Sequence, residues 1–599
     1  MKTCIGKFKN LSGTDITALS LIAAAFIYLF VMSFFNGTVS DEAFYISIPI
    51  RLMNGDGLLT DEWHLSQLSS VLLYPPVRLY ILFTGSTDGI ILFMRQLFCL
   101  MQLLTGLLIY KTFRKEGIAA ILASLLFMLY CVINLITLSY NTMGEALLFL
   151  LICTVFSILE KPAYPKTFIA GILLGAFILC QPLGILFCII YSAAVLTAGI
   201  LHKKDGRPIL FLLTKKAFLS VFAGAFVVFL YFLFFLLKNS ELSTVFSCFP
   251  GIFNDAEHMK ITNELGISTF SPFLFFSDMA MSTGVVPLIT AAVIFISGLF
   301  IKKKKKALAV IICSTALILL NISFYIKIVS NTLNGEPADI NFFFLPLALS
   351  GLPFYLLSNK KKHRVFILIW CTGIMYALFM TISSNLHLHT SVNGYVISSA
   401  ASIILAKELL SELKEKKESV FRNACIVLCL AVFGFASFQT GTMVVYTSAT
   451  RGSILSAKLT EGIYSGITLP SNQAIVYASV YKDAQKIKEL TVGTERLFVV
   501  ENIPAMYLES GLKTGAHSGW FFAEQLAYPE VRNRFRNYYK ISPENIPQYI
   551  YVPAFINTPE GIISVPPKRT AELAFALFDG EAQNLESGLL IEVTGLKDE

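Results

Sequence analysis

The sequence predicts an α-helical polytopic membrane protein with a C-terminal extracytoplasmic α/β domain, and three observations carry that prediction. Of 599 residues, 55% are hydrophobic and only 14% charged, with a mean hydropathy of +0.68. That is far more apolar surface than a soluble core of this size needs. Apolar stretches of about 16 to 25 residues, long enough to cross about 30 Å of hydrocarbon, recur down to residue 440. Beyond 441 the apolar residues come instead in short runs between polar segments, the pattern of a compact α/β domain.

Taken in order, the stretches lie near 19–35, 89–110, 117–134, 144–159, 167–181, 183–201, 217–237, 284–301, 307–326, 341–357, 365–383, 391–406 and 423–440, which makes about thirteen spans. The first follows Lys2, Lys7 and Lys9 with no small-residue cleavage site after it, and reads as an uncleaved anchor. The net charge of +8 resides in short clusters between spans, such as Lys302 to Lys306 and Lys360 to Arg364. These clusters, with Lys111 to Lys115, Lys161 to Lys166, Lys203 to Lys216 and Lys407 to Arg422, fall on alternate loops. That side reads as cytoplasmic, so the charge is a topology signal and not a nucleic-acid footprint. The N-terminus is then cytoplasmic, residues 1–440 form the transmembrane domain, and 441–599 lie outside the cell membrane. Nine of the eleven cysteines sit inside apolar spans and the C-terminal region has none, so no disulfide framework is expected.

In the C-terminal region, AIVYASV (474–480), RLFVVE (496–501), QYIYVP (548–553) and LLIEV (589–593) read as strands. YKDAQKIKELT and FFAEQLAYPEVRNRFRNYY between them read as helices.

The first outer loop, 36–88, concentrates Asp41, Glu42, Arg51, Asp56, Asp61, Glu62, His64, Arg78 and Asp88, with Arg95 just inside the second span. No other loop has this density. Asp41 and Glu42 open a short helix lying along the membrane surface. An acid pair there has a chemical use. A carboxylate can take the proton of an acceptor hydroxyl as that hydroxyl attacks a sugar, while an Arg fork neutralises a departing phosphate. Asp41 and Glu42 fit the first role, and Arg95 and Arg78 the second. The plain alternatives are an N-cap for the acids and headgroup contact for the arginines.

At these residues the chain resembles the GT-C membrane glycosyltransferases of the protein O-mannosyltransferase and aminoarabinose transferase type. The resemblance rests on SDEAFY directly after the first span, on the Pro-Pro, basic residue and small-residue turn of YPPVRLYILFTGSTDG, and on Arg95 in ILFMR. It implies a GT-C-like fold, with Asp41 as catalytic base and Arg95 contacting the phosphate of a polyprenyl-phosphate sugar donor. Two departures stand out: the stretch before Pro75 is longer, and Tyr74 stands where the family has His. The family also places an acid in the second outer loop, which here presents Asn141 and Glu145 as secondary candidates beside His64 and Glu62. A divalent metal ion is a further option, with Asp61, Glu62, His64 and His258 as ligand candidates whose spacing matches no closed motif.

Together these readings predict a glycosyltransferase acting by a single inverting displacement, with membrane lipids around it and a glycan, glycolipid or protein as acceptor. The alternative class is a transporter or flippase of lipid-linked sugars, which keeps ionisable groups deep in its spans. Patterns for nucleotide binding or a zinc protease are absent.

Overall fold

The computed structural model describes residues 12–37, 39–64, 66–131, 136–182, 184–201, 211–253, 285–300, 308–313, 315–317, 319–320, 338–383, 388–414, 455–558 and 561–597. In chain order its membrane-region helices are α1 (Gly13–Met32), α2 (Asp41–Met53), α3 (Gln67–Thr84), α4 (Ile90–Phe113), α5 (Ile118–Leu129), α6 (Tyr140–Glu160), α7 (Tyr164–Cys180), α8 (Gly184–Leu201) and α9 (Lys215–Asn239). There follow α10 (Leu242–Phe253), α11 (Val285–Phe300), α12 (Ala338–Leu349), α13 (Gly351–Leu357), α14 (Thr372–Ser383) and α15 (Leu388–Lys414). A π-helical turn, Phe366–Cys371, leads into α14.

Among the described residues, six helices are long and apolar enough to cross a membrane, with shorter apolar helices between them. Their boundaries fall within a few residues of the predicted spans. The stretch 423–440 lies outside the described residues. Phe218, Phe222, Phe226 and Phe234 along α9 are exposed, as expected for a face turned to lipid. The opposite face of α9 meets α7 at Gly224 and Gly171, where an added Cβ would collide with the facing backbone. Small residues at such a crossing let two helices touch without a water-driven hydrophobic force.

One feature of 36–88 departs from expectation. Besides α2, this loop contains α3, which runs straight through Pro75 and Pro76. Proline deprives the carbonyl four residues earlier of its partner. For Pro75 that carbonyl belongs to Val71, and the Tyr231 hydroxyl of α9 donates to it at 2.8 Å. The turn between α3 and α4 uses Gly85 and Gly89, both at positive φ, a backbone region where a side chain is strained.

The C-terminal region comprises β1 (Leu455–Lys458), β2 (Thr468–Pro470), α16 (Ser471–Leu490), β3 (Arg496–Val499), α17 (Ala505–Ser510), β4 (Lys513–Thr514) and α18 (Pro529–Ile541). It closes with β5 (Tyr549–Pro553), β6 (Phe555–Thr558), β7 (Gly561–Ser564), α19 (Pro567–Phe575), β8 (Phe578–Asn584) and β9 (Gly588–Leu596). Five strands form a mixed sheet in the order β4-β3-β5-β9-β8, with β3 parallel to β4 and β5, and β9 antiparallel to β5 and β8. Three of the four predicted strands are present. The fourth, 474–480, is a correction, because it forms the first half of α16. There Tyr477, Val480, Ala484 and Ile487 are buried while Ile475 is 68% exposed. That is one helical face, whereas a seven-residue apolar window reads equally well as a strand.

This domain is stitched to the bundle through its first loop. Asn36 donates to the Thr468 carbonyl, and Thr468 to that of Phe34, each at 2.8 Å. Gly89 and Ile91, opening α4, donate to the carbonyls of Gly462 and Ile463 at 2.9 and 3.2 Å.

Candidate active site

The acid pair at the start of α2 divides its two carboxylates between different surroundings. Ser40 stands at the N-cap, where its side chain makes no capping hydrogen bond but donates to the Asp41 carboxylate at 3.4 Å. Glu42 turns inward, 2% exposed, and accepts both forks of Arg95 at 2.5 and 2.7 Å. The other donors of Arg95 go to the carbonyls of Ser33 and Phe35, each at 3.0 Å, and of Asn36 at 2.7 Å. The guanidinium thus gathers carbonyls of the segment that follows α1 while anchoring α2. All five N–H groups of Arg95 are therefore engaged. To take the role expected of Arg95, a phosphate would have to displace carbonyls or Glu42 from a buried site.

Asp41 stays partly exposed at the same helix end. Its charge reaches Tyr140 at the start of α6 and Tyr464 of the C-terminal domain. One turn on, Tyr45 packs its ring against Tyr140 at 5.9 Å, and Phe44 packs against His64 at 5.1 Å and Trp520 at 5.4 Å. Positions three and four apart share a helix face, so His64 and Trp520 lie on the Asp41 side of α2. The His64 ring is also 2.6 Å from the Ser66 hydroxyl.

The remaining charges of the loop form a separate, closed network. Arg51 donates to Asp56 at 2.8 Å, to Glu62 at 2.7 Å, and to the carbonyls of Asp61 and Ala516 at 2.5 and 3.3 Å. Asp56 also takes Arg496 of β3 at 3.1 Å. Asp61 accepts from the Gly57 amide and from Asn545, each at 2.5 Å. Burial raises Asp61 above the usual carboxylate range, with nearby Asp56 adding to it. Burial likewise raises Glu62, against the opposing pull of Arg51. Loop and domain are bolted together by these groups. They are not gathered round a cation: among the described residues no three His, Cys, Asp or Glu side chains are disposed to hold a metal. The expected ligands Asp61, Glu62 and His64 face Asn545, Arg51 and Ser66 respectively. His258 lies outside the described residues.

Arg78 is exposed on α3 and lies over the Tyr74 ring at 5.8 Å, with its N–H donating to the Tyr74 hydroxyl at 3.2 Å. Lys238, in the last turn of α9, stands 5.9 Å from the same ring. Neither cation pairs with a carboxylate among the described residues. The Tyr74 ring under both cations belongs to an apolar cluster with Leu52, Leu58 and Phe235, and Asn239, next to Lys238, donates to the Leu52 carbonyl at 3.3 Å, so the pair lies by the end of α2. Sequence reading missed Lys238, because a lysine closing an apolar span looks like a topology signal. The one hint was Tyr74, an aromatic of the size and place to hold two cations.

Glu145 lies on α6 inside the bundle, 3% exposed, with its Oε1 atom lacking any partner. Asn141 does not cap this helix, since Ser139 and Thr142 do. Its side-chain oxygen accepts instead from Gln181 at 3.2 Å.

Fold and site together define a polytopic membrane protein whose α/β domain covers the ends of its first spans and whose acids divide between closed networks and open positions. No protein-family model and no curated protein matches the chain. Among solved structures it is similar to the crystal structure of ArnT from Cupriavidus metallidurans bound to undecaprenyl phosphate, at 13% identity. The likeness covers 97% of this chain and 98% of that one, with a TM-score of 0.42.

Proposed function

We propose that the chain is a membrane glycosyltransferase moving a sugar from a polyprenyl-phosphate donor to an acceptor on the outer face of the membrane. The observation that carries this is the division within the acid pair. Glu42 is taken up by Arg95, which leaves Asp41 as the partly exposed carboxylate of the two, while Arg78 and Lys238 pair with no carboxylate among the described residues.

In the reaction, Asp41 takes the proton of the acceptor hydroxyl, whose oxygen attacks the anomeric carbon as the bond to the phosphate oxygen breaks. Configuration inverts in this one displacement. Arg78 and Lys238 receive the departing phosphate, replacing Arg95 in that role. Glu42 and Arg95 hold Asp41 in place. His64 and Trp520, on the same side of α2, flank the acceptor. A divalent ion at Asp61, Glu62 and His64 has no geometric support among the described residues, so no step is routed through one. The α/β domain lies outside the cell and the N-terminus inside. Supporting this, Arg114, Lys362 and Lys407 pair with Asp15, Glu116 and Glu408 at the bundle end remote from that domain.

A flippase of lipid-linked sugars is the second reading, favoured by one observation: Glu145 is an acid buried within a span. Both readings are tested with full-length protein in detergent, where no second compartment exists. Wild type should release labelled sugar from the lipid only when acceptor is present, and Asp41→Asn should slow this by about 10²- to 10⁴-fold while folding normally. Transfer by the variant at the wild-type rate excludes Asp41 as the base. Lipid binding without any transfer favours the flippase.

A further inference from the structure

Among the buried polar atoms of the bundle that lack partners are Glu145 Oε1, Tyr376 OH and Asn393 Nδ2. Their residues are 3%, 0% and 0% exposed. An unsatisfied polar group is costly out of water, and an ionisable one inside a span is a candidate for function. The three belong to one neighbourhood. The Tyr130 hydroxyl, at the end of α5, donates to Asn393 Oδ1 at 2.7 Å. Phe177 of α7 packs its ring against Tyr376 at 5.8 Å, and Cys180 at the end of the same helix lies over Gly144, next to Glu145. Helices α14 and α15 touch backbone to backbone where Ala377 meets Gly394, and Tyr376 and Asn393 each precede one of these contact residues.

The neighbourhood is continuous with the site above it. Tyr140, against Tyr45 of α2, opens α6, and Asn141 with Gln181 comes next. Gln181 lies over Gly144, within 3.3 Å of where a Cβ would sit. Glu145 follows, about 8 Å below the start of α6 at 1.5 Å per residue. A file of polar side chains thus runs inward from Asp41.

We propose that Glu145, Tyr376 and Asn393 seat the sugar of the lipid-linked donor and select a neutral sugar over a uronic acid. This rests on the glycosyltransferase reading above. Sugar hydroxyls both donate and accept. One donates to Glu145 Oε1, others accept from the Asn393 amide, and the Tyr376 hydroxyl does either. No cation pairs with Glu145 among the described residues, so a uronate carboxylate brought here is buried without a counterion, which is costly. Neutral pyranoses and pentoses carry no such penalty.

The test measures binding of three lipids to full-length protein in nanodiscs: undecaprenyl phosphate, its glucosyl ester and its glucuronyl ester. Wild type should bind the glucosyl lipid more tightly than the bare carrier, and the glucuronyl lipid no more tightly than the bare carrier. Tyr376→Phe and Asn393→Leu should each cut the glucosyl advantage about three- to tenfold, the worth of one hydrogen bond. Their affinity for bare undecaprenyl phosphate should be unchanged, which also certifies that they fold. Should both variants keep the full advantage, or wild type favour the glucuronyl lipid, the sugar seat is wrong while the function stands. A wild type that binds none of the three lipids overturns the glycosyltransferase reading and this inference with it.

Discussion

The closed networks around Arg95 and Arg51 and the open positions of Arg78, Lys238 and Glu145 treat their polar atoms in opposite ways. Arg95 has five acceptors for five donors, and Arg51 reaches two carboxylates and two carbonyls. In the open group, two cations share one ring without an acid, and a buried carboxylate oxygen has no partner. A buried charge with all its partners in place is held for structure, and breaking its set leaves the remainder stranded. A polar group without partners is held at a cost that a ligand can relieve. Density of charge in a sequence therefore marks both scaffold and site, and saturation tells them apart.

The hardest blow to this division would come from Arg95. Arg95→Ala strands Glu42 in a buried site and frees the carbonyls of Ser33, Phe35 and Asn36, so it should cost about 3 to 5 kcal/mol. Thermal unfolding of the detergent-solubilised protein should show a large drop, or the protein should fail to accumulate. Arg95→Lys should fare little better, since three donors on a flexible stem do not reach five fixed acceptors. An Arg95→Ala protein that melts like wild type but no longer binds lipid phosphate would move Arg95 into the open group.

What the sequence revealed follows the same division. Spans were legible because long apolar runs answer to bilayer thickness alone, and Asp41 was legible because an acid just after a span is costly without a purpose. Glu42 and Arg95 could not be separated from Asp41 and Arg78 by inspection, because their pairing joins residues 53 positions apart. Helix α3 was hidden by Pro75, whose cost is met by a hydroxyl from residue 231. Segment 474–480 misled because only neighbours outside the window show that its buried positions follow a helical period. The same holds for Tyr376 and Asn393, which look like ordinary residues of apolar spans until α14 and α15 are packed.

On the open side, Arg78→Gln and Lys238→Gln should each raise the KM for a polyprenyl-phosphate donor about fivefold, the worth of one cation near a lipid phosphate. Unfolding temperature should not move, and the loss should shrink as salt rises. Because the two cations flank one ring, Tyr74→Leu should reproduce much of the double variant's effect by letting both side chains wander. If either substitution lowers stability in place of affinity, Arg78 and Lys238 belong with the scaffold.

The smallest effect, and the sharpest test of what closed means, concerns Asp61. Burial raises Asp61 and Glu62 above ordinary carboxylate values, so over part of the acid range the folded protein holds more protons than the unfolded chain. Stability then falls as pH rises from the ordinary carboxylate range, about 4, through the raised values, and is level above them. Asp61→Asn removes one of the two groups with little structural damage. Asn545 Oδ1 has no partner, so its amide can turn over and accept from the new amide while Gly57 keeps its acceptor. The variant's stability should therefore fall less steeply over the same window and converge with a shallower curve at neutral pH. Two of the three tryptophans report on this interface directly: Trp63 donates its backbone N–H to the His517 carbonyl at 2.7 Å, and Trp520 packs on Phe44. Melting followed by their fluorescence at a series of pH values measures the slope, and identical slopes in variant and wild type would show that Asp61 is ionised throughout and that the network tolerates its full charge.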